Sequence, residues 1–286
     1  MTAVDPDAGV GVLQEQQPAR GRPARRAGGR RANLALRIAL PVLVALALIG
    51  VWEIVAVTAF SGRAYLLPDP PAVARAINEN ISLLLRATWN TFVESGEGFL
   101  VGIVVGVVLA VVMSLSRVVG DALYPVAVVF QTVPIIAIAP ILVLVLHYGR
   151  PAIITIVAIV TFFPILSNTL SGLRSTDSNH AELFQLYRAS LVKTLWNLKF
   201  PQALPSAFAG LRIAAGLAVV GATVGEFLIG ETGGRPGLGV LLVTTQSELK
   251  TSLLFGAAVF ATALAVLFFL VVNRIARLVL GRWSNE

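Results

Sequence analysis

"GFLVGIVVGVVLAVVMSLS", residues 98–116, runs for nineteen positions without a charge. A helix of about 20 apolar residues crosses about 30 Å of hydrocarbon. A helix on a soluble core would keep a polar face, and a barrel strand would alternate; this stretch does neither. Lipid offers backbone groups no water, so an α-helix is the expected form. Gly98, Gly102 and Gly106 stand four apart, which suits close packing on another helix, in the same chain or in a dimer. The whole chain has the same character: 286 residues, 56% hydrophobic and 13% charged, with mean hydropathy +0.83. Soluble domains are nearer a quarter charged. The expected fold class is therefore an all-α polytopic membrane bundle.

Six segments qualify as spans, at about 36–60, 88–115, 122–147, 151–172, 206–230 and 251–273. With the N-terminus inside, 16 Lys and Arg fall on the inner side and 6 on the outer. The outer six are Arg63, Arg75, Arg86, Arg150, Arg235 and Lys250. Both termini are thus expected in the cytoplasm, with 61–85 and 231–250 outside. In 65–85, Val73, Ile77, Ile81, Leu84 and Leu85 fall at helical spacings, so this segment should rest on the bundle or the interface.

Residues 1–34 form a separate basic tail rich in Gly, Pro, Gln and Arg, expected to be disordered. It reads as an RNA-binding tail or as a cytoplasmic topogenic tail; the net charge of +7, placed mainly in loops, favours the second and gives no reason to expect nucleic acid. The apolar run that follows is too long, and lacks the small-residue site, for a cleaved signal peptide. Residues 35–280 make the transmembrane domain and 281–286 a short cytoplasmic tail. With no Cys and only His147 and His180, no metal site is expected.

The loop 173–206 interrupts this pattern with "ELFQLYRASLVKTLWNLKFPQALP", residues 182–205. Leu183, Tyr187, Leu191 and Leu195 recur every four positions, giving an amphipathic helix with a basic opposite face. Ser190 is placed to cap a second helical turn. Pro201 and Pro205 are expected to end it and return the chain to the membrane. Periodicity leaves two readings open, an interfacial anchor or a docking element for a cytoplasmic partner.

"ELFQLYRAS", followed eleven residues after Ser190 by Pro201 and then "FAGLRIA", resembles the EAA loop of ATP-binding-cassette (ABC) importer permeases. "LLPDPPAV", "QTVPIIAIAP", "FFPILSNTLSGLRS" and "AVVGATVGEFL" resemble the branch that moves nitrate, sulfonates, taurine and pyrimidine-type vitamin precursors, over about residues 65–280. The resemblance implies a type I importer permease of six transmembrane helices in the bacterial cytoplasmic membrane. The loop then carries coupling helices that sit in a cleft of a separate ATPase. Glu182, Tyr187, Arg188, Ala189 and Ser190 lie at the docking turn, and Pro201 and Pro205 fix its exit. A second permease subunit, in a homodimer, and an extracytoplasmic binding protein complete the assembly. Two residues depart from the pattern. Arg188 stands where the family usually has Gly, and a left-handed conformation there costs a non-Gly residue roughly 1–2 kcal/mol. Glu94 stands where the branch often has a basic residue.

No GxxxxGK[ST] or GxSxG occurs, and "GETGGRPGLG" at 230–239 reads as a flexible external turn rather than a phosphate cradle. The chain is therefore not expected to be an enzyme; ATP and Mg²⁺ belong on the partner. Glu53 and Glu226 lie within spans, where a charge costs about 2.5–3.5 kcal/mol at the centre. Glu53 is expected to have a structural partner. Glu226, beside the path and outer gate by the resemblance, serves either gating or a structural hydrogen bond. Gln131, Thr132, Pro134 and Pro140 interrupt the third span, as kinks or as path lining. Two other classes remain: a proton-coupled secondary transporter using Glu53 or Glu226, and a membrane scaffold that recruits a partner through the loop.

Overall fold

The computed structural model describes residues 28–60, 65–176, 178–230 and 235–283. The chain divides into two compact units, Met1–Val51 and Trp52–Glu286. The expected basic tail lies mostly outside the described residues. Helix α1, Gly28–Thr58, nevertheless begins inside that stretch, where Arg30, Arg31 and Ala32 are good helix formers. In the first unit, Leu40, Leu43, Leu46 and Leu48 of this helix are all more than half exposed, as suits a lipid-facing surface.

The second unit begins at Trp52. Its indole donates to Pro68 O at 3.1 Å and stacks on Phe255 at 5.5 Å between ring centres. Helix α2, Pro70–Glu79, starts where Asp69 accepts the N–H of Ala72 and two prolines occupy positions with no need of a donor. Its buried Val73 and its packing on the last helix agree with an element resting on the bundle. Residues 81–85 belong instead to α3, Ile81–Leu115, which is longer than the span expected from 88.

Next come α4, Arg117–Thr132, and α5, Ile135–Leu146. The third span, expected to be interrupted at Gln131, Thr132 and Pro134, is broken there, and the two helices meet at 95°. The cause is local. Val133 precedes Pro134 and adopts ψ 123°, the extended conformation that a following proline enforces. A tight turn leads to α6, Arg150–Arg174. Beyond it lie α7, Ser178–Leu186, and α8, Leu191–Thr194. A π-helical turn, Leu195–Lys199, leads directly into α9, Phe200–Ile229. Helix α10, Leu238–Ser247, and α11, Thr251–Trp283, complete the chain.

Pro201 and Pro205 do not end the helix of the 173–206 loop, contrary to expectation: residues Leu191–Ile229 form one continuous 39-residue helix. The π turn absorbs the change. Phe200 donates its N–H to Leu195 O, one residue wider than an α-helical bond, immediately before the prolyl nitrogen that has no donor. Among the described residues, four helices are long and apolar enough to cross a membrane, five if α4 and α5 count as one. The expected count of six is not reached, since the apolar part of α1 among the described residues, Val42–Thr58, is shorter than a span. The protein is a multi-pass, all-α membrane bundle.

The core lies where α3, α6 and α9 pack, with α11 against α9. The glycine row of α3 explains the closeness. A Cβ at Gly98 would strike Val157, one at Gly102 would strike Thr161, and one at Gly106 would come within 2.8 Å of Phe162 O. The row is therefore occupied within the chain, by α6. Helix α9 answers with Ala214, Ala215, Ala218 and Ala222, all fully buried. Leu100, Val104 and Val108 of α3 point away, more than half exposed, as apolar side chains facing lipid do.

Candidate functional site

Two constellations stand at opposite ends of the long helix Leu191–Ile229. At its start, α7 ends in a Schellman-type turn: Ala189 donates its N–H to Phe184 O at 2.9 Å. Such a turn needs one left-handed residue, and Arg188 supplies it with φ 46°. Arg188 thus takes up the left-handed conformation itself. Ser190 follows as an N-cap, its Oγ accepting the N–H of Lys193 at 3.4 Å. Together Arg188 and Ser190 split the expected amphipathic stretch into two helices.

The apolar residues of that stretch have different fates. Leu198 is buried and Leu195 packs on the core. Leu186, Tyr187 and Leu191 remain 81%, 80% and 74% exposed around the turn. Glu182 and Arg188 are exposed and Ala189 is half-buried beside them. Pro201 and Pro205 lie further along the same helix and do not join this surface.

At the far end of α9, Glu226 is buried at 1% exposure. Its Oε1 accepts the Thr91 hydroxyl at 2.7 Å, and its Oε2 accepts the N–H of Gly239 at 2.6 Å. The Thr91 oxygen in turn accepts the N–H of Leu238 at 2.9 Å. Asn90 donates to Pro236 O at 3.0 Å. Glu94, also buried, is a second carboxyl group beside Glu226. A Cβ at Gly237 would collide with the Glu226 carboxylate, and one at Gly239 with Thr223 O. The Gly-rich stretch is therefore only partly the external turn expected. Residues 231–234 lie outside the described residues, but Leu238, Gly239, Val240, Leu241 and Thr245 are buried. The glycines hold a carboxylate of their own chain.

The remaining polar candidates are dispersed. Gln131 and Thr132 line a cavity of about 350 Å³ at the α4–α5 break, with Phe163, Pro164 and Leu217. Pro134 is the N-cap of α5 at that same break. Pro140 lines a different cavity of about 660 Å³, with Ile136, Leu144, His147 and Leu228. Glu226 borders neither. Glu53 has one buried carboxylate oxygen with no hydrogen-bond partner among the described residues, so the expected pairing is not found there.

Sequence reasoning passed over Thr91, Asn90, Gly237 and Gly239. A signal was present: Asn90, Thr91, Glu94 and Ser95 put four polar residues within two turns of an otherwise apolar helix.

Comparison with known proteins follows the same lines. Residues 102–285 match the family described as the binding-protein-dependent transport system inner membrane component. The chain is 35% identical to a formylaminopyrimidine transport permease protein of Halalkalibacterium halodurans, over 86% of this chain and 96% of that one. It is 34% identical to a riboflavin transport system permease protein of Chloroflexus aurantiacus, over 86% and 90%. A putative aliphatic sulfonates transport permease protein of Escherichia coli is 30% identical, over 87% and 93%.

Proposed function

The chain belongs to the binding-protein-dependent transport system inner membrane components and is a permease-type subunit of an ABC importer for a small solute; on that premise we propose how its parts serve transport. The turn Glu182–Ser190 docks a separate cytoplasmic ATPase, with Tyr187, Arg188 and Ala189 at its centre. One observation carries this reading. Leu186, Tyr187 and Leu191 crowd an ordered turn yet stay about three-quarters exposed or more. Flanked by Arg188 and Lys193, they suit an apolar groove with an acidic rim.

Six spans are then completed by α1, and both termini are cytoplasmic, in keeping with the 16 to 6 division of basic residues. A second copy of the chain forms the other half of the path, and an extracytoplasmic binding protein delivers the solute. Gln131, Thr132 and Pro134 line the path at the helix break, Pro140 lines it beyond, and Glu226 serves the outer gate. The relatives' different cargoes, a pyrimidine, a flavin and sulfonates, leave a small sulfonate, nitrate or pyrimidine-type compound as the solute class. The chain supplies a passage that rocks between two access states. The ATPase, holding ATP and Mg²⁺, biases that equilibrium by binding the two states differently.

The test is uptake into vesicles holding this chain with a partner ABC ATPase and an extracytoplasmic binding protein. Uptake should require ATP. Uptake driven by a proton gradient alone would favour the secondary-transporter reading instead, and no uptake under either drive would leave a scaffold. Orientation has its own check, since the chain has no Cys. A single Cys at Ser178 should resist an impermeant reagent applied from outside.

A further inference from the structure

A cavity of about 600 Å³ opens beside the Glu226 cluster, where α3 passes the junction of α5 and α6 and the residues that enter α10. Its wall includes Trp89, Asn90 and Glu94 of α3, Tyr148 and Arg150 of the junction, and Arg235. Sites for small molecules have this size and this mixture of flat apolar walls with a few placed polar groups. The polar groups divide by depth. Glu94 is 5% exposed, and its carboxyl group lies beside Glu226. Asn90 gives its NH2 to Pro236 O at 3.0 Å, which leaves its amide oxygen as an acceptor. The cations lie further out. Arg150 is paired with Glu97, so its charge is already matched. Arg235 is exposed and forms no ion pair among the described residues. Trp89 and Tyr148 are 64% and 79% exposed, two large rings standing at the mouth.

We infer that this cavity binds a planar nitrogen heterocycle, with its N–H edge on Glu94 and Asn90, its carbonyl toward Arg235 and its ring against Trp89 and Tyr148. The inference rests on the transport reading above and deepens it, because it names the solute class that the permease itself admits. Acceptors at the deep end call for donors on the ligand. Nitrate and alkyl sulfonates carry none, and they would bring a negative charge to a place where two carboxyl groups already meet. A site built to accept N–H groups rejects an analogue that lacks them, since its own buried acceptors are then left unpaired. Burial of the acceptors therefore sets the selectivity. The aromatic walls add area and stacking geometry, which a flat ring uses and a tetrahedral sulfonate does not. The exposed guanidinium of Arg235 suits a carbonyl oxygen at the outer edge of the ring.

The experiment uses the full chain in phosphatidylcholine nanodiscs, without the ATPase. The probes are cytosine, which carries N–H donors and a carbonyl on one flat ring, and benzoate, a flat ring with an acceptor-only anionic group. Binding is read by saturation transfer from protein to probe, with nitrate and ethanesulfonate as competitors. Cytosine should bind, benzoate should not, and neither competitor should displace cytosine. Trp89→Leu should weaken cytosine several-fold through lost stacking. Glu94→Gln should weaken cytosine about tenfold, the factor for the net loss of one hydrogen bond. It should also admit benzoate, a gain that a purely structural role for Glu94 would not produce. If Glu94→Gln fails to accumulate in the membrane, Arg235→Gln at its exposed position replaces it and should weaken cytosine several-fold. Absence of saturation transfer to cytosine, its displacement by nitrate or ethanesulfonate, or undiminished binding in the variants overturns the inference. ATP-driven uptake of ethanesulfonate without cytosine binding would leave the transport reading standing and remove this one. Cytosine binding by a chain that supports no ATP-driven uptake would remove the transport reading and keep the site.

Discussion

The turn at Arg188 and the cluster at Glu226 are both polar interruptions in an apolar chain, yet they resolve their chemistry in opposite ways. At the turn, backbone groups are satisfied locally, by the Ala189–Phe184 bond and the Ser190 cap, and large apolar side chains are left outside. At the cluster, a carboxyl group is buried and finds its partners 13 and 135 residues away. An apolar surface left outside the core is free to meet lipid or another molecule. A buried polar group that is already satisfied needs neither.

The sharpest way to break this contrast is Ala189→Glu. A carboxylate forced into the docking contact costs several kcal/mol when buried without a partner, which lowers affinity by more than a hundredfold at about 1.4 kcal/mol per tenfold. The ATPase should no longer co-purify, while the permease itself still accumulates in the membrane. Retention of the ATPase together with continued transport would show that the turn meets no partner. The next effect belongs to the other site. Glu226→Gln leaves one oxygen to accept and turns an NH2 toward the other donor, so one of the two bonds is lost, at about 1–2 kcal/mol. More ATP should be hydrolysed per solute moved, with accumulation unchanged; a variant missing from the membrane would instead mark Glu226 as structural alone. The smallest effect sharpens the turn. Arg188→Gly removes left-handed strain but adds freedom to the unfolded chain, so stability should rise by no more than about 1 kcal/mol in thermal unfolding. ATPase affinity should then fall less than tenfold, and a larger loss would make the Arg188 guanidinium a contact in its own right.

Local features were legible in the amino-acid sequence alone. The long apolar runs and the Ser190 cap follow from neighbours within a few positions, whereas a left-handed residue at 188 was suggested only by the family resemblance. Proline was the harder sign. Pro125, Pro140, Pro164 and Pro205 all lie inside helices, whereas Pro134 marks the break. A proline forbids one donor everywhere, but whether the residue before it leaves the helical region depends on what the bundle offers on either side. Val133 becomes extended and Tyr124 does not, a difference absent from both dipeptides. The cluster around Glu226 was hidden for a related reason. Thr91, Glu226 and Gly239 meet only when three helices pack, and spacing along the chain carries no record of that meeting. Glu226 drew attention as a charge inside a span, whereas Thr91 resembled an ordinary helix residue, and the glycines resembled a flexible turn.

Mechanically, the helix Leu191–Ile229 is one long beam. Leu191 adjoins the Arg188 turn, and Glu226 lies 35 residues further on, roughly 50 Å at 1.5 Å per residue. A tilt of about 5° around its middle displaces each tip by roughly 2 Å, far beyond the few tenths of an ångström that a hydrogen bond tolerates. The π turn at Leu195–Lys199 and Pro205 both lie in the half nearer Leu191, so the arm from Ser206 to Glu226 has no proline to bend it.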